Sequence, residues 1–240
     1  MIRVTLQAVW GVYALIVFGV IVVLAMIGFI LVPGQQRRDH VARTAARAVF
    51  RLAGVRVTVN GMENLPEEHC VVVANHVSYA DGPLLKGVLP APYSFVIKGE
   101  MRNIPVVHFF LRRGGARFVE RHEARGSTRD ARAIVKAASS GQPLAVFPEG
   151  TFRLEEGVGR FRAGAFVAAV RADMPVIPAA IRGTRHILPM GRFLPRPGPI
   201  TVDILEPIMP DDDAFADARQ VAETSRQRII AQLGEPDLLA

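Results

Sequence analysis

The chain has 240 residues, half of them apolar, which suits one α/β domain of ordinary size with a short additional segment. The formal net charge of +7 favours an anionic partner, which can be nucleic acid, a membrane surface or a phosphorylated substrate. Aromatic residues make up only 7% and no helix-turn-helix, zinc-finger or RNP-like pattern occurs, so nucleic acid is not predicted as a partner. Cys70 is the only cysteine, which excludes an intramolecular disulfide and argues against a cysteine-ligated metal; we expect it to be a small buried residue.

The N-terminal segment contains no charged residue between Val4 and Val32. A helix of about 20 apolar residues crosses a hydrocarbon core of roughly 30 Å, so this segment is long enough to span a membrane. A cleavable signal peptide fits less well, because its apolar region should measure only about 7–15 residues and no small-residue cleavage site follows. Pro33-Gly34 is predicted to end the helix.

Basic residues follow this helix, whereas only Arg3 precedes it, so the positive-inside rule places the rest of the chain, with the active site, on the cytoplasmic side of the membrane, which is the inner membrane if the protein is bacterial. Residues 40–52 predict a second helix with one apolar and one basic face, which suits a membrane surface. Two alternatives remain open: a solvated helix of the globular domain, and a hairpin of both helices dipped into one leaflet. Residues 1–53 are predicted to be the anchor and residues 54–240 the globular domain. The arginines after the first helix are Arg37, Arg38, Arg43, Arg47 and Arg51.

The rest of the chain alternates between short apolar runs and longer segments of helical periodicity. This alternation predicts an α/β fold with a mixed, largely parallel sheet covered by helices on both faces. The predicted strands are 55–59, 70–74, 93–97, 116–119, 143–147, 176–181 and 200–205. The predicted helices are 83–88, 104–111, a segment from Ser127 or Thr128 to Gly141, 164–172, and a C-terminal helix opened by Asp211-Asp212-Asp213.

An apolar run of strand type, starting at Val71, ends in Asn75-His76. Asp81 follows His76 after four intervening residues. A histidine at the end of a strand, with an acid that can fold back onto it, is typical of a general base: the acid orients the ring and stabilises the imidazolium. The competing interpretation is structural, with His76 capping a turn and Asp81 capping the next helix. Ser78 lies between them, but the Gly-x-Ser-x-Gly pattern of serine hydrolases is absent.

Four short blocks follow one another along the chain: Asn75-His76-Val77-Ser78-Tyr79-Ala80-Asp81, Gly115-Ala116-Arg117-Phe118-Val119-Glu120-Arg121, Phe147-Pro148-Glu149-Gly150-Thr151 and Met174-Pro175-Val176-Ile177-Pro178. In this order they resemble the glycerophospholipid acyltransferase family, whose best-known members acylate lysophosphatidic acid. The resemblance covers roughly residues 55–207, and the order of the blocks behind a membrane segment makes it specific.

The resemblance implies that residues 54–240 are an acyltransferase domain. The domain would transfer a fatty acyl group from acyl-CoA or acyl carrier protein to the hydroxyl of a lysophospholipid, foremost 1-acyl-sn-glycerol-3-phosphate. His76 would be the general base and Asp81 its partner. Neither a cofactor nor a metal is expected. The other histidines considered, His69, His108, His122 and His186, are not expected to be metal ligands. The substrate-binding residues implied by the blocks are Asn75, Lys98, Arg121, Glu149, Gly150, Thr151 and Arg153.

One departure from the family pattern concerns the acceptor. The commonest third block ends in arginine, whereas Phe152 occupies that place here and Arg153 follows it. The role of that arginine can fall to Arg153, Arg160 or Arg162. Other readings therefore stay open: an acyltransferase for another lysophospholipid or a lyso-aminolipid, a membrane-anchored lipid-binding protein without turnover, and a membrane-bound hydrolase.

Overall fold

The computed structural model describes residues 2–66, 69–90, 92–98, 103–119, 135, 138, 141–151 and 154–239. Seven strands lie within these residues: β1 Val57–Asn60, β2 Val71–Ala74, β3 Ser94–Lys98, β4 Arg117–Val119, β5 Leu144–Val146, β6 Val176–Arg182 and β7 Ile200–Ile204. They form one sheet in the order β1-β7-β6-β2-β5-β3-β4. Every neighbouring pair is parallel except β6 and β7, which are antiparallel, so the predicted mixed, largely parallel sheet is confirmed.

Helices cover both faces of this sheet, and the central strand β2 shows why. Its four residues are fully buried, because Val71 and Val73 pack into one apolar cluster while Val72 and Ala74 pack into another on the opposite face. The helices are α1 Ile2–Leu31, α2 Gln35–Leu52, α3 Asp81–Val88, α4 Pro105–Arg113, α5 Gly164–Arg171, α6 Thr184–Ile187 and α7 Ala218–Leu233. Helices α5 and α7 contribute to the first cluster, and α2 and α3 to the second.

Helices α1 and α2 form an antiparallel hairpin. The Trp10 indole donates to the Ala53 carbonyl (3.0 Å) near the start of α1, and Gly28 lies against Val41 near its end. Helix α1 is long and apolar enough to cross a membrane, and only 17% of its most apolar 18-residue stretch is buried in the protein. The exposed face of α1 therefore remains available to an apolar surrounding.

The second helix begins at Gln35, five residues before the predicted start, and a tertiary contact explains the difference. Asp39 is buried and accepts from Lys86 Nζ on α3 at 3.3 Å. Burial lowers the pKa of Lys86, and the nearby Asp39 carboxylate opposes that shift. A polar stretch without an apolar stripe thus becomes helical because α3 supplies a partner for its acid.

The C-terminal helix also differs from the prediction. Asp213 starts a 3₁₀ turn at Asp213–Ala216, and α7 begins only at Ala218. The Asp217 side chain caps α7 by accepting from the Arg219 backbone N–H at 3.1 Å. The short helix α6 was not predicted, and the segment predicted as a helix up to Gly141 lies almost wholly outside the described residues.

Candidate active site

The carboxyl ends of three central strands meet where His76 lies. Because β2, β5 and β6 run parallel, the segments that follow them emerge at the same edge of the sheet. Asn75 links two of these ends: its side-chain amide donates to the Ile181 carbonyl (3.0 Å), and its oxygen accepts from the Ile181 N–H (2.7 Å). Asn75 is fully buried, so the geometry favours a positioning role over the substrate contact predicted for it.

The His76 and Asp81 side chains are in direct contact. His76 Nδ1 lies 2.9 Å from Asp81 Oδ2, and the Asp81 side chain is fully buried whereas the His76 side chain is 18% exposed. A carboxylate can only accept, so we assign the proton to Nδ1 and the basic lone pair to Nε2. Asp81 is the first residue of α3, but no side-chain hydrogen bond from a described residue caps that helix, so the structure shows the contact with His76 and not the helix cap of the competing interpretation.

Asp81 is itself held by the turn that it closes. Its Oδ2 accepts from the backbone N–H groups of Val77 (2.7 Å) and Ser78 (2.8 Å) in addition to His76. Its Oδ1 is buried and has no hydrogen-bond partner among the described residues. The spacing of four intervening residues is thus what lets one oxygen collect two turn amides and the imidazole.

Glu149 joins the histidine segment to a second loop. Its Oε1 accepts from the His76 backbone N–H (3.0 Å), and its Oε2 accepts from the Gly159 N–H (3.1 Å). Phe147, two residues before it, stacks on the imidazole with ring centroids 4.2 Å apart. Gly150 completes this turn with φ of 81°, a conformation that favours glycine. Phe147 could have been found from its place in the third block, whereas no sequence signal singles out Gly159.

Neither alternative nucleophile is suitably placed. Ser78 Oγ donates to the Leu188 carbonyl at 2.6 Å and accepts from the Ala80 N–H at 3.0 Å. Cys70 is fully buried beside the Tyr93 hydroxyl (3.0 Å), and burial raises the pKa of its thiol to about 11. Of these three side chains, the His76 imidazole is the one placed to accept a proton.

The family model described as Acyltransferase matches residues 56–182, which include His76, Asp81 and Glu149. This chain belongs to the acyltransferase family.

Three proteins illustrate the relationship. The crystal structure of the 1-acyl-sn-glycerophosphate (LPA) acyltransferase PlsC from Thermotoga maritima is similar with a TM-score of 0.80 and 26% identity, over 97% of this chain and 98% of that one. A Chlamydomonas reinhardtii 1-acyl-sn-glycerol-3-phosphate acyltransferase is 30% identical over 77% of this chain and 54% of its own. A Pseudomonas aeruginosa lyso-ornithine lipid O-acyltransferase is 30% identical over 85% of this chain and 71% of its own. The chain spans about half the length of several curated relatives that it matches.

The other predicted binding residues of this acyltransferase-family chain are only partly visible. Lys98 is the last residue of β3, which runs parallel to its neighbour β5. The Lys98 backbone therefore lies at the same edge of the sheet as His76. Thr151 is exposed next to Gly150. Arg121 and Arg153 lie outside the described residues, so their roles stay predictions.

Two further arginines lie close to Glu149 along the chain. Arg160 and Arg162 are exposed, and they follow Gly159, whose N–H is bound by Glu149. The Arg162 N–H donates to the Pro148 carbonyl at 2.9 Å, so this loop runs directly alongside the third block. In the described part of the chain, no group of three or more His, Cys, Asp or Glu side chains is placed to hold a metal ion.

Proposed function

We propose that this protein transfers a fatty acyl group from acyl-CoA or acyl carrier protein to the free hydroxyl of a lysophospholipid. The acceptor that fits best is 1-acyl-sn-glycerol-3-phosphate, which gives phosphatidic acid. The observation that carries the proposal is the 2.9 Å contact between His76 Nδ1 and a fully buried Asp81 carboxylate at the carboxyl edge of the sheet. Names of the Thermotoga and Chlamydomonas relatives support the choice of acceptor.

The chemistry needs one proton carrier and no acyl-enzyme. His76 Nε2 takes the proton of the acceptor hydroxyl while its oxygen attacks the thioester carbonyl carbon. Asp81 stabilises the imidazolium that forms. The tetrahedral intermediate then expels the thiolate, and the imidazolium returns its proton to the sulfur. A buried Ser78 hydroxyl bonded to a carbonyl and a buried Cys70 thiol are both consistent with direct transfer.

The acceptor phosphate requires cations on the side of the sheet where His76 lies. The blocks nominate Lys98, Arg121 and Arg153 for this role, and the placement of Lys98 at the end of β3 supports it. Arg160 adds a cation on the loop whose Gly159 N–H donates to Glu149. It is a candidate for the role of the third-block arginine, whose position Phe152 occupies in this chain. Arginine binds phosphate through paired charged hydrogen bonds, which lysine cannot reproduce.

A lyso-aminolipid acceptor is the second candidate. The similarity to a Pseudomonas lyso-ornithine lipid O-acyltransferase extends over 85% of this chain, further than the match to the Chlamydomonas relative. Phe152 in place of the usual arginine also fits an acceptor whose anionic group lies elsewhere. Both acceptors present a hydroxyl to His76, so the mechanism is common to them.

We place the enzyme on a membrane with its active site on the cytoplasmic side. Support comes from α1, whose exposed face is almost wholly apolar, and from the arginines that follow it. A groove of about 580 Å³ between α2, α3 and β1 adds to this, because Arg47, Arg51 and Arg56 border an apolar floor. The groove is not lined by His76, so we assign it to the membrane side rather than to the chemistry.

The test is acyl transfer by the purified full chain, with labelled acyl-CoA and acyl carrier protein offered against a panel of lysolipids. We expect transfer to lysophosphatidic acid, and a loss of about a hundred- to ten-thousandfold in His76→Ala. His186→Ala is the matched control, because His186 is an exposed histidine of α6. Release of free fatty acid without an acceptor would indicate a hydrolase. Lipid binding by the wild type without any turnover would indicate a lipid-binding protein. His76→Ala activity within a few-fold of wild type would overturn the mechanism.

A further inference from the structure

The C-terminal strap, which we define as residues 235–239, folds back onto the loop that contacts Glu149. Gly234 ends α7 with φ of 67°, which reverses the chain. The Val158 N–H then donates to the Pro236 carbonyl (3.0 Å), and the Leu238 N–H donates to the Val158 carbonyl (3.3 Å). Val158 is fully buried, so the strap closes over one side of this loop.

Arg226 fixes the same loop from α7. Its side chain is 2% exposed, and its Nε donates to the Gly159 carbonyl at 3.0 Å. The remaining guanidinium nitrogens pair with Glu223 Oε1 (2.9 Å) and with Asp237 Oδ1 of the strap. A buried cation is retained only where its hydrogen bonds are satisfied, so this guanidinium has one well-defined position.

These contacts connect the strap to the catalytic histidine. Gly159 accepts from Arg226 through its carbonyl and donates through its N–H to Glu149 Oε2 at 3.1 Å. Glu149 Oε1 in turn accepts from the His76 backbone N–H at 3.0 Å. A Cβ at Gly159 would lie 3.3 Å from Glu149 Oε2, so the loop and this carboxylate approach each other closely.

We propose that Arg226 and Asp237 are positioning residues that hold His76 in place for catalysis through Gly159 and Glu149. The proposal rests on the function proposed above, in which His76 is the base. Arg226 is buried on α7 and its guanidinium binds a backbone carbonyl and two carboxylates, so its loss should lower kcat and leave the KM of both substrates unchanged. A misplacement of about 1 Å at a reacting group can cost roughly a hundredfold in rate, so we expect a ten- to hundredfold fall in kcat.

The first test uses amide hydrogen exchange of the full chain in detergent, which requires no turnover. In Arg226→Met, exchange should quicken at the His76 and Gly159 amides, while the Ile181 amide, held separately by Asn75, keeps its protection. Ile229→Val, which removes one buried methyl from the same helix, is the control for a general loss of stability and should not alter exchange at His76 selectively. Unchanged exchange at His76, or equal acceleration at all three amides, would overturn the proposal.

The second test is a double-mutant cycle on kcat with Glu149→Gln. If Arg226 acts through Glu149, adding Arg226→Met to Glu149→Gln should cost much less than it costs in the wild type, because residues that share one network are not additive. If the two substitutions lowered kcat by factors that simply multiply, Arg226 would not act through Glu149 and the proposal would be refuted. Asp237→Asn, whose carboxylate is partly exposed, replaces Arg226→Met in both tests if the latter does not fold. Wild-type protein without acyl transfer would refute the proposed function, while the exchange result would still decide whether Arg226 positions His76.

Discussion

Replacing Asp81 by asparagine separates the charge of this residue from its shape. In the structure, one oxygen, Oδ2, accepts from His76 Nδ1 and from the N–H groups of Val77 and Ser78. Because three donors converge on that position, the amide oxygen of an asparagine should occupy it, and the amide nitrogen should occupy the site of Oδ1. His76 would then keep its Nδ1–H tautomer and its orientation.

The expected loss follows from this geometry. Only the charge assistance to the imidazolium disappears, and a hydrogen bond to a charged group is worth about 1.5–3 kcal/mol. At 1.4 kcal/mol for each factor of ten, kcat should fall roughly ten- to a hundredfold. In the serine-protease triad the equivalent change costs about ten-thousandfold, because there the amide holds the histidine in the wrong tautomer. Asp81→Ala should be the more severe variant here, because it also leaves the Val77 and Ser78 amides without their acceptor.

The assay is the initial rate of coenzyme A release at saturating lysophosphatidic acid, with thermal unfolding measured on each variant. Asp173→Asn is the matched control, since Asp173 is exposed and has a positive φ of 47°, which asparagine tolerates. Equal and near-complete inactivation of Asp81→Asn and Asp81→Ala would show that the backbone amides do not dictate the amide orientation. Less than a threefold effect in both would refute the His76–Asp81 pair as the base.

Three further outcomes are expected. Ser78→Ala should keep kcat within about tenfold of wild type, because the hydrogen bonds lost, to the Leu188 carbonyl and from the Ala80 N–H, are both between neutral groups, and an inactive but folded Ser78→Ala would point to a nucleophilic serine. Arg121→Ala should raise the apparent KM for the acceptor roughly ten- to a hundredfold in steady-state kinetics and Arg121→Lys should rescue part of it, whereas an effect on the donor alone would assign Arg121 to the coenzyme phosphates. Deleting residues 1–33 should release the protein from membranes or leave it aggregated in a flotation assay, and quantitative membrane binding by the deletion variant would move the anchor to the globular domain.

Some of the candidate site was readable from local sequence because its contacts are local. His76 and Asp81 are only five positions apart, so a single turn brings them together, and the valine run before them already predicts a buried strand that ends at the sheet edge. The same is true of α1, whose uncharged length alone indicates a membrane helix. Local patterns of this kind predict which residues a single strand, turn or helix brings together.

Contacts between distant segments could not be predicted in this way. Glu149 is 73 positions from His76, and Gly159 is 67 positions from Arg226, so no periodicity or capping rule relates them. The early start of α2 has the same origin, because it depends on Lys86 meeting Asp39 across 47 positions. The sequence by itself therefore determined the strand–turn–helix that carries His76 and the apolar helix at the N-terminus. Only the tertiary structure decided which distant side chains hold the His76 segment, because a carboxylate or guanidinium selects its partners by three-dimensional proximity in a low-dielectric interior.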